Sequence, residues 1–198
     1  SVFKRMIGIC RHKSFMAFLL SMGMFSLPFM AYLAVSSYIF VEGFGLAGTT
    51  YSYLLATNAV LGTVGMLILQ RLTKGGSNKS MGVVVIILSL VSSLIMLSVG
   101  YLNPAVCFIG MTFCVVAAFA ARPYALAILM NQFDGDTGSV SSVFNFTLVF
   151  IGCLGMAAGT LPWPTYIIGL GVCSLFAGVA AAVLMFAAVK AKVPLKGL

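Results

Sequence analysis

The chain has 198 residues, of which 62% are hydrophobic and only 7% are charged. Soluble domains carry about 25% charged residues, so this composition excludes a water-soluble globular protein and indicates that lipid surrounds the chain. The 11 Lys and Arg residues outnumber the 3 Asp and Glu residues. Because these cations border apolar segments, we interpret their excess as a sign of membrane topology and expect no nucleic-acid partner.

Six apolar segments follow one another along the chain, and each is close to the length of about 20 residues that a helix needs to cross a bilayer. Connectors rich in Gly, Pro, Asn and Asp separate them. The segments comprise residues 14–36, 51–70, 80–100, 105–130, 140–160 and 165–190. Only helices satisfy their own backbone in lipid at these lengths, so the predicted fold class is an all-α membrane protein with one six-helix bundle, residues 1–198.

The N-terminal segment is basic, and its first residue is a serine instead of a methionine. The apolar stretch 14–36 is too long for the core of a signal peptide, and no small-residue cleavage site follows it. We therefore predict a permanent first span. The missing methionine leads us to expect that the chain belongs to a longer protein.

The basic residues predict the orientation of the bundle, because ten of them lie before the first span, between the second and third spans, or after the sixth. They are Lys4, Arg5, Arg11 and Lys13; Arg71, Lys74 and Lys79; and Lys190, Lys192 and Lys196. All three positions are on one side of a six-span bundle. By the positive-inside rule this side, with both termini, faces the cytoplasm of a cell inner or plasma membrane.

Two features indicate an internal repeat. The first and fourth spans each contain one proline, and the second and fifth spans share the spacing of a serine, an asparagine and a glycine. These residues are Pro28 and Pro123; Ser52, Asn58 and Gly65; and Ser139, Asn145 and Gly152. Two inverted three-helix repeats with interrupted helices at matching positions are typical of half of a major-facilitator-type transporter, and chance spacing is the alternative. The repeat predicts equivalent positions for Asn58 and Asn145.

Arg122 is the one charged residue well inside a predicted span. A central arginine costs about 2.5–3.5 kcal/mol on insertion scales, and no acidic residue of the chain lies at mid-membrane to pair with it. It should therefore face a watery cavity, a carboxylate from elsewhere or an anionic ligand. The alternative is a structural arginine whose long side chain reaches toward the cytoplasmic surface.

Four further residues complete the candidate substrate-binding set: Asn58, Asn145, Tyr32 and Phe25. Amides within spans either bond neighbouring helices or line a cavity. Phe25 belongs to a group of Met and Phe residues that either form an adaptable wall for varied ligands or simply pack. The chain contains no HExxH, no GxSxG, no paired carboxylates and no Cys/His cluster. We therefore expect no enzymatic activity, metal or cofactor.

Two stretches carry a resemblance to a known family. The first is 36–46, SSYIFVEGFGL, followed by Tyr51 and Asn58, and the second is 123–127, PYALA, followed by 138–142, GSVSS. They resemble the seventh-to-eighth and tenth-to-eleventh span regions of the twelve-span drug:proton antiporters of the major facilitator superfamily, in the bicyclomycin-resistance branch. The departures are Ser37 where that group usually has proline, Arg122 at a normally uncharged place, and a basic loop 71–80 without the superfamily's Asp-Arg pairing.

The resemblance implies the C-terminal half of a secondary active transporter, packed against an N-terminal six-helix half with a small-molecule substrate between them. It implies an exporter of small, partly apolar compounds that works by alternating access and is coupled to protons through a carboxylate outside this chain. The first, second, fourth and fifth helices line the cavity in that family. The alternatives are an uptake transporter for an anionic metabolite, suggested by Arg122, and a non-transporting membrane assembly subunit.

The topology is testable by single-cysteine labelling in a cysteine-free background. We expect a membrane-impermeant thiol reagent added outside intact cells to modify Gly48→Cys and to spare Gly75→Cys, because the basic loop is predicted to face the cytoplasm. Permeabilised cells, in which both positions should react, are the control. The reverse pattern would overturn the predicted orientation.

Overall fold

The computed structural model describes residues 12–73, 78–132 and 137–190, and within these ranges every regular element is helical. The α-helices are α1 Lys13–Gly23, α2 Ser26–Ser37, α3 Gly48–Thr73, α4 Asn78–Ser98, α5 Pro104–Met130, α6 Thr137–Gly159 and α7 Tyr166–Lys190. A π-helical segment, Tyr38–Gly43, extends α2. Together α1, α2 and the π-helical segment form the first of six spans long and apolar enough to cross a membrane, and α3 to α7 form the other five.

The prediction of an all-helical fold is thus confirmed for the described residues, and six helices are long and apolar enough to cross a membrane, as predicted. The connector that contains Asp134 and Asp136 lies outside the described residues, and so do several of the basic residues at the termini and between α3 and α4. These basic residues are Lys4, Arg5, Arg11, Lys74, Lys192 and Lys196.

The first span is interrupted four residues before its proline. Pro28 has no N–H to donate to the carbonyl of Met24, so one hydrogen bond of the helix is missing there. The helix stops at Gly23 and starts again at Ser26, and the N–H of Leu27 donates to the Met24 oxygen at 3.1 Å instead. Pro123 lies within α5, which continues as one helix past it.

The six spans pack with alternating direction, so the bundle has two ends of different chemistry. The basic end carries Lys13, Arg71, Lys79 and Lys190. The other end, which we call the aromatic end, carries Tyr38, Tyr51, Tyr53, Tyr101, Trp163 and Tyr166. This distribution matches the interfacial belt of tyrosine and tryptophan that membrane proteins place at headgroup level.

Each span has a small number of main neighbours. The helix α2 packs on α6, and α3 packs on α5, while α4 lies between α5 and α7 and α1 packs on α7. The buried residues form one cluster at the basic end, around Phe18 and Leu129, and a second at the aromatic end, around Val35 and Met111. The helix α3 is the least buried of the six spans, with only Asn58 and Gly62 fully enclosed.

Buried serines link the spans through hydrogen bonds to backbone carbonyls. In α4, Ser89 donates to the Ser174 carbonyl at 3.0 Å, and Ser93 donates to the Gly171 carbonyl at 2.9 Å. The same helix bonds α5 through Ser92, and α1 bonds α7 through Ser21, at 2.7 Å in each case. Such bonds hold helices together where lipid supplies no hydrophobic force between them.

The spans α2 and α6 approach each other closely where they cross. A Cβ at Gly155 would clash with the backbone carbonyl of Leu27, and one at Gly159 would lie 3.0 Å from the Cβ of Ala31. One turn earlier, Gly152 leaves room for Met30. These glycines therefore allow backbone-to-backbone packing of the kind expected from a Gly-x-x-x-Gly pattern.

Substitution of Gly155 tests this crossing. We expect Gly155→Ala to lower the free energy of unfolding by about 1–3 kcal/mol, because the added methyl group meets backbone that cannot rotate away. The matched control is Gly138→Ala in the same helix, where a Cβ has no atom within 4 Å. Equilibrium unfolding by SDS in mixed micelles measures both. Equal stability of Gly155→Ala and wild type would contradict the crossing.

Candidate functional site

A small pocket lies between α2, α3 and α5, in the interior of the spans. Its volume is about 160 Å³. Apolar side chains and two polar ones line it: Phe29, Tyr32, Leu33, Leu55, Asn58, Ala59, Val115 and Phe119. We call it the Asn58 pocket. Two of the five predicted site residues, Tyr32 and Asn58, thus lie together in one cavity.

Asn58 and Tyr32 form the polar part of this pocket. Their side chains are almost fully buried, and the Asn58 Nδ2 donates to the Tyr32 hydroxyl at 3.0 Å. The Asn58 Oδ1 is buried and has no hydrogen-bond partner among the described residues. A buried acceptor without a donor costs about 1–3 kcal/mol. A ligand N–H or O–H group would relieve this cost, so Asn58 can act as an acceptor for a bound molecule.

The fold positions Asn58 through a glycine one turn later on α3. A Cβ at Gly62 would approach the side chains of Val115 and Phe119 to 2.7 and 3.3 Å. Because glycine leaves that space open, α3 approaches α5 closely and its asparagine points into the bundle. The remaining surface of α3 is largely exposed.

Arg122 lies next to the pocket and contacts it through an aromatic pair. Its guanidinium carbon is 5.5 Å from the centroid of the Phe29 ring, a cation–π arrangement. The Phe29 ring in turn meets Phe119 edge-on, with centroids 5.5 Å apart. The one acidic side chain in the described residues, Glu42, is at the aromatic end, so Arg122 has no carboxylate partner in the described part of the chain.

The other two predicted residues lie elsewhere. Phe25 is 1% exposed and packs in the core cluster of the basic end, so it does not line the Asn58 pocket. Asn145 is exposed on α6, and its Nδ2 donates to the carbonyl oxygen of Ser141 in the same helix at 3.0 Å. Asn58 and Asn145, predicted to occupy equivalent positions, therefore have different surroundings.

Several residues of the pocket were not in the predicted set, although helical spacing points to them. Phe29 lies three residues before Tyr32, Leu55 three before Asn58, and Phe119 three before Arg122. Residues three apart share one face of a helix, so each predicted residue has an apolar neighbour on its own face. Which faces meet depends on the packing of the spans.

No protein-family model matches the chain, and no curated protein sequence is significantly similar to it. The interpretation of this site therefore rests on its own side chains. These side chains offer the Asn58 Oδ1 as a hydrogen-bond acceptor without a described donor, the aromatic rings of Phe29 and Phe119, and the neighbouring cation Arg122, all within the spans.

A double-mutant cycle tests the pair at the centre of the pocket. We expect Tyr32→Phe to destabilise the protein by leaving the Asn58 amide without its one partner, and Asn58→Leu/Tyr32→Phe to recover much of that loss, because both polar groups are then gone. Hydrogen bonds between membrane helices suggest a coupling energy of about 0.6–1.7 kcal/mol.

The free energies of unfolding of the four proteins give this coupling energy directly. Asn145→Leu combined with Tyr32→Phe is the control pair, because Asn145 bonds only to its own helix in the described residues and should show no coupling. Additive effects of Tyr32→Phe and Asn58→Leu would contradict the bond.

Proposed function

We propose that this chain is the C-terminal six-helix half of a secondary active transporter of the major facilitator type, built from two inverted three-helix repeats. The observation that carries this proposal is the pattern of neighbours in the bundle. The contact between the first and fifth spans (α2 and α6) corresponds to the contact between the fourth and second spans (α5 and α3). The contact between the third and fourth spans (α4 and α5) corresponds to the contact between the sixth and first spans (α7 and α1). Exchanging the first, second and third spans with the fourth, fifth and sixth leaves this pattern unchanged, as a repeat requires.

The exposed faces of α3 and α6 support a partner half. Both faces carry polar side chains within the spans, Thr63 on α3 and Ser142 and Asn145 on α6, and each of them donates to a carbonyl of its own helix. These bonds satisfy the hydroxyl donors and reduce the cost of contact with hydrocarbon, but polar groups in membrane proteins still usually face a bundle interior or a water-filled cavity. An N-terminal six-helix half would cover these faces and enclose a cavity between the two bundles.

The Asn58 pocket would then be one wall of the substrate cavity. Its volume of about 160 Å³ is smaller than the 300 Å³ or more of typical ligand sites, so the partner half would supply the rest. Phe29 and Phe119 offer apolar contact, and the Asn58 Oδ1 accepts one hydrogen bond. This chemistry suits small, partly apolar compounds that carry an N–H or O–H donor, and export is the direction that the family resemblance implies. Phe25 would lie outside this cavity, in the core cluster against which Phe29 packs.

Coupling to protons needs a titratable carboxylate at membrane depth. Among the described residues no carboxylate lies there, so the proposal assigns the proton carrier to the partner half. The basic end of the bundle would face the cytoplasm of a cell inner or plasma membrane, because Arg71, Lys79 and Lys190 lie at that end.

Arg122 supports a second candidate, uptake of an anionic metabolite. Its guanidinium is half-buried within α5 and has an aromatic contact but no described carboxylate partner. An anionic group of a substrate would supply the missing charge, and the planar guanidinium would bind it through two parallel hydrogen bonds.

The test compares Arg122→Lys and Arg122→Ala in transport assays of the full-length protein, at matched expression. If Arg122 binds an anionic group bidentately, transport by Arg122→Lys should fall about tenfold or more, and transport by Arg122→Ala should fall at least as much. Lysine keeps the charge but lacks the planar guanidinium that makes two parallel hydrogen bonds. If the Arg122 side chain only extends toward the membrane surface, Arg122→Lys should transport nearly as well as wild type. Lys190→Ala, at the basic end, is the matched control.

Two probe panels distinguish the candidates: fluorescent lipophilic compounds with N–H donors, and radiolabelled carboxylates. Export predicts lower accumulation of the lipophilic probes than in cells without the protein, restored by a protonophore and by Asn58→Leu. Uptake predicts carboxylate accumulation that depends on Arg122. If neither panel responds to the full-length protein, the transport proposal is wrong.

A further inference from the structure

A second, larger pocket lies at the aromatic end, between the end of the first span, the α4–α5 connection and the start of α7. Its volume is about 400 Å³, within the range of about 300–1,000 Å³ that is usual for small-molecule sites. Its chemically distinctive lining residues are Tyr38, Glu42, Phe44, Tyr101, Thr165 and Tyr166. We call it the Glu42 pocket.

The local backbone creates this pocket. In the π-helical segment the N–H of Phe44 donates to the carbonyl of Ile39, five residues back, so the last turn is wider than an α-helical turn. The chain then reverses at Gly45, whose φ of +68° suits glycine. Tyr38 of this segment meets Tyr166 at the start of α7, with ring centroids 5.9 Å apart.

The charge of Glu42 has no counterpart at this end of the bundle. Glu42 is the one acidic residue in the described ranges; its side chain is exposed, and no hydrogen bond or ion pair joins it to another described residue. The described cations lie at the basic end, apart from Arg122 within α5. The pocket therefore combines a solvent-exposed carboxylate with several partly exposed aromatic rings, whose faces carry partial negative charge.

An interfacial belt accounts for each tyrosine separately, because tyrosine favours headgroup level. It does not account for a carboxylate placed among the rings of a concave site. A carboxylate and aromatic rings that line one pocket can together recognise a substituted ammonium ion, since the carboxylate attracts its charge and the rings attract the cation and contact its alkyl groups. Inorganic cations gain less from such a site, because they keep their hydration shells, and anions are repelled.

We propose that the Glu42 pocket binds a substituted ammonium group, carried either by a soluble organic cation or by the headgroup of a phospholipid. Both sources present the same chemistry, and the pocket lies where the belt tyrosines place the membrane surface. This site is separate from the Asn58 pocket and does not depend on the transport proposal, because a chain without transport activity would still bind the cation.

The test measures equilibrium binding of radiolabelled choline to the full-length protein in nanodiscs of phosphatidylglycerol, a lipid without an ammonium group. We expect saturable binding that 3,3-dimethylbutanol, the uncharged isostere of choline, does not displace. Glu42→Gln should weaken binding about tenfold or more, and Tyr38→Leu about threefold to tenfold, through loss of the charge and of one ring. Tyr53→Leu, an equally interfacial tyrosine outside the pocket, is the matched control.

Circular dichroism and thermal unfolding in the same nanodiscs show whether each variant is folded, and Tyr38→Phe, which keeps the ring, should bind like wild type. Nanodiscs of phosphatidylcholine separate the two sources. A headgroup site predicts weaker choline binding there and co-purifying phosphatidylcholine that Glu42→Gln releases, while a site for soluble cations predicts unchanged choline binding. Wild-type affinity in folded Glu42→Gln, or equal competition by the uncharged isostere, overturns the proposal.

Discussion

Close backbone contact between spans is the constraint on which this structure depends. In lipid, burying one apolar helix against another removes little unfavourable surface, so packing and interhelical hydrogen bonds must hold the bundle together. The crossing of α2 and α6 at Gly155 shows the first device, and the serines of α4 that donate to carbonyls of α5 and α7 show the second. Both devices depend on small side chains at the contact, glycine in the first and serine in the second.

This mode of packing makes buried polar groups significant. The hydroxyls of Ser21, Ser89, Ser92 and Ser93 each donate to a backbone carbonyl, so these buried polar groups are satisfied within the bundle. The Asn58 Oδ1 is left without a donor, and Arg122 has an aromatic ring but no described carboxylate. Both groups are expensive at membrane depth, and their incomplete pairing is the reason for proposing that a ligand or a partner half completes them.

The two pockets differ in depth and in charge. The Asn58 pocket lies inside the spans, is almost wholly apolar, and offers one acceptor beside a cation. The Glu42 pocket lies at the aromatic end and offers a carboxylate among rings. A molecule that suits one therefore does not suit the other. The first span is irregular at two places, near Pro28 and in the π-helical segment. The first place lies near the Asn58 pocket, and the second forms part of the Glu42 pocket. An irregular turn changes the direction in which the following side chains point.

The sequence by itself determined the number of spans, their approximate limits and the separation of basic from aromatic ends, because bilayer thickness and headgroup chemistry act on single segments. It also indicated Asn58 and Arg122, since polar residues stand out in apolar helices. Tertiary structure alone decided which faces meet: that Asn58 bonds Tyr32, that Phe25 is enclosed in the core, that Asn145 bonds its own helix, and that Glu42 lies among tyrosines. Those outcomes depend on contacts between spans distant in sequence, and helical periodicity cannot specify how two faces pair.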